Sequence, residues 1–427
     1  MEKTTFIGID LGTSGVRAIA IDTAGKVQAE ASTPLPEPLR NGSAIEQAPK
    51  LWWQAVEAVL DEITEQLDSA SIHAIAVDGT SGTVLLSDEH NKPLTMGLMY
   101  NDGRAVEQTQ RISELAPRES AAHGTGSGLA KLLWLLEHDG KNALRAHIQA
   151  DWVASLLSGK PGICDVNNAL KLGYDPVTRN WPEWMEQLKL STGLLPKVVP
   201  AGQVIGPIRP ELAERWGLSG ETVIVSGTTD STAAFIASGA SQPGEAVTAL
   251  GSTLVLKVIA EQPVFAPEYG VYSHPFGDRW LVGGASNSGG AVLRQHFTDE
   301  QIARLSLQLK PELPTGLNYT PLPSPGERFP INDPQLEPIL TPRPDDDVQF
   351  FQGLLEGIAR IEKAGYDRLA DLGAPYPVSV RSNGAGAVNA AWTRIRGQML
   401  GVEMLPATHT EAAYGSALLA RNGASAV

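Results

Sequence analysis

The sequence predicts a two-domain α/β protein in which each half opens on a β-hairpin with a small, hydroxyl-bearing tip. Three observations predict it. The chain has 427 residues, more than one ordinary core accommodates, so two domains are expected. Runs of strand character alternate with amphipathic stretches in the order of an α/β fold with a mixed sheet. Asp-Leu-Gly-Thr-Ser at 10–14 is echoed by Ala-Leu-Gly-Ser-Thr at 249–253, with the acid missing.

Composition narrows the function classes. A chain with 42% hydrophobic and 19% charged residues is globular, and its 43 glycines suggest many tight turns. The formal charge of −15 argues against nucleic acid or an anionic membrane surface as a partner. It leaves ATP open, because a few local donors and Mg²⁺ outweigh a distant negative field. Cys164 is the single cysteine, which excludes an intramolecular disulfide and a cysteine-based metal cluster. No apolar run approaches membrane-spanning length and no signal-peptide core precedes the first strand, so a cytoplasmic location is expected.

The opening hairpin comes first. Strand 5–9 runs into Asp10, Gly12 turns the backbone, and 16–21 returns. Gly12 allows a bulky anion close to the main chain. Thr13 and Ser14 offer donors to phosphate oxygens, and Asp10 can hold Mg²⁺ directly or through water. Taken alone, the stretch also reads as an ordinary turn with Asp at its mouth. A third strand is expected over 26–31 and a loop over 35–45. Leu51, Trp52, Ala55, Val56, Val59, Ile63 and Leu67 then recur at helical spacing over 48–67, with Trp52 a core residue. Strand 73–77 delivers Asp78 and the loop Gly79-Thr80-Ser81-Gly82-Thr83, and strand 84–87 follows. Ligands of open α/β sheets collect at the carboxyl ends of strands, where Asp10, Asp78 and this loop fall.

At 100–104, Asp102 beside Arg104 reads either as a local ion pair in a turn or as a ligand contact. Helices are expected over 129–138 and 151–157, and proline-rich 159–210 as a surface loop. Strand 223–225 hands Gly227-Thr228-Thr229-Asp230 to a helix over 231–237, a place where Asp also serves as an N-cap. The second half repeats the opening, with strands 246–250 and 254–259 around the tip Gly251, Ser252, Thr253. Strand 280–284 leads to Ser286–Gly290 and a helix. A proline-rich loop over 310–346, a long helix over 348–372 and a strand over 378–381 follow. The turn Gly384, Ala385, Gly386 precedes a helix to Met399, and 411–420 reads as the last helix. That turn can admit a flat purine against bare backbone, with Asn389 hydrogen-bonding and Trp392 stacking; Trp392 reads equally well as a core aromatic. No Walker A sequence occurs, and Gly-Thr-Gly-Ser-Gly at 124–128 follows no strand, which disfavours a Rossmann site. The 8 histidines show no metal-binding or triad context.

Several of these segments together resemble the FGGY carbohydrate kinases, over nearly the whole chain. The resemblance rests on the opening hairpin, Leu98-Met99-Tyr100-Asn101-Asp102-Gly103-Arg104, Lys131–Leu135, Gly193–Pro196, Gly283–Gly290, Asn383–Trp392 and, most specifically, Glu411–Ala420. It implies an actin/hexokinase-like ATPase fold of ribonuclease H-like halves with a central nucleotide cleft. Residues 1–237 with the final helix 411–427 would form a sugar-binding and catalytic domain, and 238–410 a nucleotide-binding domain. The implied activity is ATP-dependent phosphorylation of a ketopentose, D-ribulose ahead of D-xylulose, with ATP and Mg²⁺, in a monomer or homodimer.

The resemblance places Asp230 as catalytic base, and Asp10 either organising Mg²⁺ and the γ-phosphate or binding the attacking hydroxyl. Gly12, Thr13, Ser14, Gly251, Ser252, Thr253 and Gly289 would hold phosphates. Gly384, Ala385, Gly386, Asn389 and Trp392 would hold the base. Gly79, Thr80, Ser81, Asp102 and Asp230 would meet sugar hydroxyls. Two departures stand out. The second tip reads Gly-Ser-Thr where the family usually has Gly-Thr-Ser. The 79–83 loop stands where xylulose kinases carry a Met-His-Gly-Gln-like sequence and glycerol kinases an Arg-Glu pair. A glycerol or other polyol kinase, a nucleotide-switched binding protein, a phosphohydrolase and a sugar sensor without catalysis are the rival readings.

Overall fold

The computed structural model describes residues 4–140 and 142–425. The chain divides into two compact units, one reaching to Ala237 and rejoined by the segment from Glu411, the other Ser238–Thr410.

In the first unit β1 (Thr5–Leu11) and β2 (Gly15–Asp22) form the opening hairpin, with Asp10 opposite Arg17. All seven residues of β1 are buried, as befits a strand covered on both faces. β3 (Val27–Pro34) pairs with β2. The expected 35–45 loop instead holds a small hairpin, β4 (Leu39–Asn41) and β5 (Ala44–Gln47); three or four residues are too few to show a strand period. α1 (Pro49–Gln66) starts on a proline whose missing N–H would be unpaired there anyway, and it buries Trp52, Val56, Val59 and Ile63. β6 (Ile72–Gly79) lies parallel to β1 and sets Asp78 opposite Asp10.

Then come β7 (Val84–Ser87), β8 (Gly97–Leu98), α2 (Val106–Leu115), α3 (Gly128–His138), β9 (Arg145–Ile148) and α4 (Gln149–Ser158). The stretch expected to be loop-rich over 159–210 also carries β10 (Ile163–Asp165), α5 (Val166–Ala169), β11 (Lys197–Val199) and β12 (Val204–Pro207). These elements are also too short for a periodic signal. α6 (Pro210–Trp216), β13 (Val223–Val225) and α7 (Asp230–Ala237) complete the run. The main sheet has the order β12-β13-β6-β1-β2-β3, and β4-β5-β8-β7-β9 forms a second sheet.

The second unit contains β14 (Glu245–Leu250), β15 (Leu254–Ala260), β16 (Tyr272–Phe276), β17 (Arg279–Ser286), α8 (Gly290–His296), α9 (Asp299–Ser306), α10 (Asp347–Asp371), β18 (Ser379–Asn383), α11 (Ala390–Leu400) and β19 (Glu403–Met404). Its sheet order is β16-β17-β15-β14-β18-β19. The two sheets repeat one another. β14 is antiparallel to β15, and β15 to β17, while β14 is parallel to β18 and β18 to β19. The same pattern links β1 to β2 and β3 on one side, and to β6 and β13 on the other. The echo between the two tips is therefore an echo of whole sheets.

The last helix, α12 (Ala412–Ala424), belongs to the first unit and packs against β1 and α7. The approach is at backbone distance. A Cβ on Gly8 would lie 1.9 Å from the Ala413 carbonyl oxygen, and one on Gly415 would lie 1.9 Å from that of Ala233. No side chain fits either place, so the two glycines set how closely α12 seats. We expect Gly415→Ala to destabilise the first unit by about 2 kcal/mol or more, because overpacking against fixed backbone cannot relax through a rotamer. Urea melts followed by the first unit's tryptophans measure it, and a loss under about 0.5 kcal/mol would mean that the helix contact is slack.

Candidate active site

The first unit gathers carboxylates at the carboxyl ends of three parallel strands. Asp10 and Asp78 sit side by side on β1 and β6, and Gly79 is bridged to Thr229, the residue before Asp230. Gly227 makes this possible. A Cβ there would lie 1.7 Å from the Val77 carbonyl oxygen, so only glycine lets the chain after β13 hug β6. Asp10 is 6% exposed and Asp78 wholly buried. Burial raises the pKa of Asp10, and the Arg17 guanidinium, whose Nη1 is 3.4 Å away, opposes the shift. Burial raises Asp78 further, well above the usual carboxylate range, with the Asp10 charge adding to it and the Asp230 charge contributing less. Ser416 of α12 donates to Asp78 Oδ2 at 2.5 Å. The final helix thus reaches into the acidic cluster with one hydroxyl.

Asp230 is the first residue of α7 and only partly buried. The residue flanking the helix ahead of it is Thr229, whose carbonyl accepts from the N–H groups of Thr232 and Ala233. Asp230 Oδ1 accepts from the Ser231 N–H at 2.6 Å. At the hairpin tip the Gly12 N–H donates to the Gly15 carbonyl at 3.0 Å, and a Cβ on Gly12 would sit 3.0 Å from that oxygen. A side chain there would be a tight fit, and φ at Gly12 is not in the left-handed region. Thr13 is partly buried and Ser14 exposed.

The 79–83 loop and the 100–104 turn lie behind this cluster in sequence, and their side chains divide into two kinds. Thr80 is spent internally: its hydroxyl bonds Thr83 Oγ1 at 2.6 Å and Gln149 Oε1 at 2.7 Å. Ser81 Oγ is buried and has no protein partner, which makes it the loop's available hydroxyl. Asp102 must be corrected as a direct sugar ligand. It is wholly buried, and its oxygens accept from the Ile45 N–H at 2.6 Å, the Arg104 N–H at 3.1 Å and Arg104 Nε at 2.9 Å. Arg104 continues to Glu46 at 2.7 Å and lies over the Trp134 ring. Asp102 therefore shapes the turn. Buried Lys131 fastens the same turn, donating to the carbonyls of Met99, Tyr100 and Gly126. Burial lowers its pKa to about 7.

The second unit brings its three glycine turns together. A Cβ on Gly384, whose φ is +80°, would meet the Leu250 carbonyl oxygen at 2.8 Å. One on Gly289 would meet the Ser252 carbonyl oxygen at 2.8 Å. The Gly290 and Ala291 N–H groups donate to the carbonyls of Gly251 and Ser252. Gly251, Ser252, Thr253, Gly289 and the Gly384-Ala385-Gly386 turn thus form one backbone-lined patch, in which Ser252, Gly384 and Ala385 are exposed.

Trp392 does not join that surface. It is 3% exposed, its Nε1 donates to the Leu355 carbonyl at 3.1 Å, and its ring edge lies under Gly386. A ring buried on the α10 side supports the turn from beneath and has no open face for stacking, so the stacking expectation is corrected. Asn389 caps α11, accepting from the Trp392 N–H at 2.9 Å and donating to Ser306 Oγ at 2.9 Å.

Sequence reading missed Arg17, Ser416 and Lys131 as members or supports of the site. Arg17 was recoverable, because a hairpin turning at 12–15 sets it directly across from Asp10. Ser416 and Lys131 depend on packing between segments far apart in the chain. Away from the cluster, Asp151, Cys164 and Asp165 are buried together. Asp165 caps α5, while burial pushes the Cys164 thiol and the Asp151 carboxyl up toward their neutral forms.

Comparison with known proteins decides the family. Residues 5–237 match the N-terminal domain, and 246–423 the C-terminal domain, of the FGGY family of carbohydrate kinases. The chain belongs to that family. This FGGY kinase is 26% identical over 421 residues to the xylulose kinase of Escherichia coli (strain K12), covering 93% of this chain and 85% of the relative. A ligand-bound xylulose kinase from Lactobacillus acidophilus superposes with a TM-score of 0.86 at 21% identity, over 99% of this chain and 90% of that one. The Plasmodium falciparum glycerol kinase with ADP superposes with a TM-score of 0.87 at 17% identity, over 100% and 90%. The two units therefore have the fold of the sugar kinases, and the protein is an ATP-dependent sugar kinase. Among the described residues no helix is long and apolar enough to cross a membrane.

For this kinase, Trp392→Phe keeps most of the ring volume and removes the indole N–H. It should cost about 1 kcal/mol of stability, the value of one buried hydrogen bond, and leave the ATP KM within about threefold. Steady-state kinetics and melts on the same preparation check it, and a tenfold rise in ATP KM would reinstate stacking.

Proposed function

We propose that this kinase transfers the γ-phosphoryl group of ATP to a hydroxyl of a ketopentose, with D-ribulose preferred to D-xylulose and Asp230 as the base. The observation that carries the reading is the placement of Asp230. It is a partly exposed carboxylate at the head of α7, beside the buried Asp78 and the Asp10 hairpin. A sugar hydroxyl is a weak nucleophile, and a carboxylate that orients it and takes its proton meets the requirement of phosphoryl transfer. The Gly79–Thr83 loop carries no charged side chain, which suits a neutral sugar better than a sugar acid. Its departure from the loop of xylulose kinases favours a different pentulose, and Ser81 Oγ is its hydroxyl for the substrate.

Asp10 is a buried carboxylate next to a second one, Asp78, and the hairpin tip that follows it carries the hydroxyls of Thr13 and Ser14; hard oxygen donors of this kind suit Mg²⁺. When bound with the nucleotide, that ion would neutralise phosphate charge. Thr13 and Arg17 hold the transferring phosphoryl group in this reading. In the second unit, taken by itself, the backbone of Gly251, Ser252, Thr253 and Gly289 suits phosphates, and Gly384, Ala385 and Gly386 suit the purine face, with Asn389 at its edge. Positioning and exclusion of water supply most of the rate.

Asp230→Asn tests the assignment. Asn keeps the size and the bond from the Ser231 N–H, so melting temperature and ATP affinity should hold. The loss of the proton acceptor should lower kcat on the best pentulose by at least about 100-fold. A folded Asp230→Asn enzyme with near-normal kcat would overturn the base assignment.

A further inference from the structure

Beneath the glycine turns of the second unit lies a wholly buried ion pair. Arg396 of α11 and Glu362 of α10 are both 0% exposed. Arg396 Nε donates to Glu362 Oε2 at 2.6 Å, and Nη2 to Oε1 at 2.6 Å. The pair is not sealed to itself. Arg396 Nη1 donates to Ser382 Oγ at 2.7 Å, and the Thr248 hydroxyl donates to Glu362 Oε1 at 2.6 Å. Tyr366 OH lies 2.9 Å from Thr248 Oγ1 and completes the set, its own proton held by burial and by the Glu362 charge.

Thr248 and Ser382 are opposite one another in the parallel pair of β14 and β18. Gly251 begins three residues after the first, and Gly384 two residues after the second. One ion pair therefore grips, by one hydroxyl each, the two strands that carry the turns assigned above to phosphate and to purine. Taking two charges out of water is costly, and an apolar pair of similar volume would often be as stable. What an apolar pair cannot supply is a fixed direction at both strands.

We infer that Glu362 and Arg396 are positioning residues for nucleotide binding, which hold the 251–253 and 384–386 turns in register through Thr248 and Ser382. This rests on the nucleotide reading of the second unit given above. It makes the pair act through the two hydroxyls, with no contact of its own to the ligand. Because α11 follows the purine turn directly, Arg396 also ties that helix to the strand ahead of the turn.

The test cuts the two ties and leaves the ion pair in place. Thr248→Val with Ser382→Ala should fold, and it should raise the ADP dissociation constant, measured by calorimetry, by at least about fivefold, since loosened positioning is read directly as lost binding. The sugar KM should stay within about twofold, because a lost contact affects the partner it serves. Amide exchange should accelerate in 250–253 and 383–388 of the apo protein and not in the first unit. A pair with a merely structural role would lower the melting temperature while leaving ADP affinity and exchange in both turns as in the parent, and that result would overturn the inference. Should the parent chain bind no ADP, the nucleotide reading fails, and unchanged exchange in the two turns would still refute the positioning.

Discussion

The acidic cluster of the first unit depends on how closely the final helix can approach. Gly8 and Gly415 carry no Cβ, so α12 rests on β1 and α7 at backbone distance. At that distance Ser416 meets Asp78, and Asp78 stands beside Asp10 in the strand register. A parallel sheet brings its strand ends together but does not dictate what lies above them. Here the covering layer supplies the hydroxyl that serves a deeply buried carboxyl, and Gly227 draws Thr229 and Asp230 down onto the same strand ends. Three glycines, each facing a carbonyl oxygen that leaves no room for a side chain, therefore decide where the carboxylates of this kinase sit.

The second unit solves a similar problem by other means. It repeats the sheet pattern of the first, yet its turns carry no acid. Its turns are packed against one another through Gly289 and Gly384, which present main chain in place of side chains. Backbone surfaces suit phosphates and a flat purine, because N–H groups and bare Cα atoms make no demand on side-chain rotamers. Such turns need support from below, and Trp392, Asn389 and the Glu362–Arg396 pair all lie beneath or beside them. The first unit is thus organised by buried charge and the second by backbone shape.

Much of this was legible in the sequence where local patterns are strong. Strands 84–87 and 223–225, the long helix before 372 and the two hairpin tips follow from period and turn chemistry. The β4–β5 hairpin and the elements between 159 and 210 were not legible, because each is too short to show a period. Asp102 shows a second limit. Its neighbour Arg104 permits both an ion pair and a ligand role, and the deciding donor is the Ile45 N–H, 57 positions away. Trp392 shows a third. Helical spacing says that a residue has a face, but only the packing of α10 says which face is inside. Lys131 is a lysine that reads as surface and is wholly buried, because three loop carbonyls converge on it.

In the proposed reading, the carboxylates at the ends of β1 and β6 and on α7's first turn serve phosphoryl transfer to a ketopentose. The most direct measurement is the stoichiometry of ADP and sugar phosphate formed by the purified protein with Mg²⁺, ATP and D-ribulose, D-xylulose or neither. ADP release should depend on added pentulose, run faster with D-ribulose, and be matched one to one by a phosphorylated sugar, about one phosphoryl group per turnover. ADP release indifferent to every pentulose, or phosphorylation of glycerol alone, would contradict it.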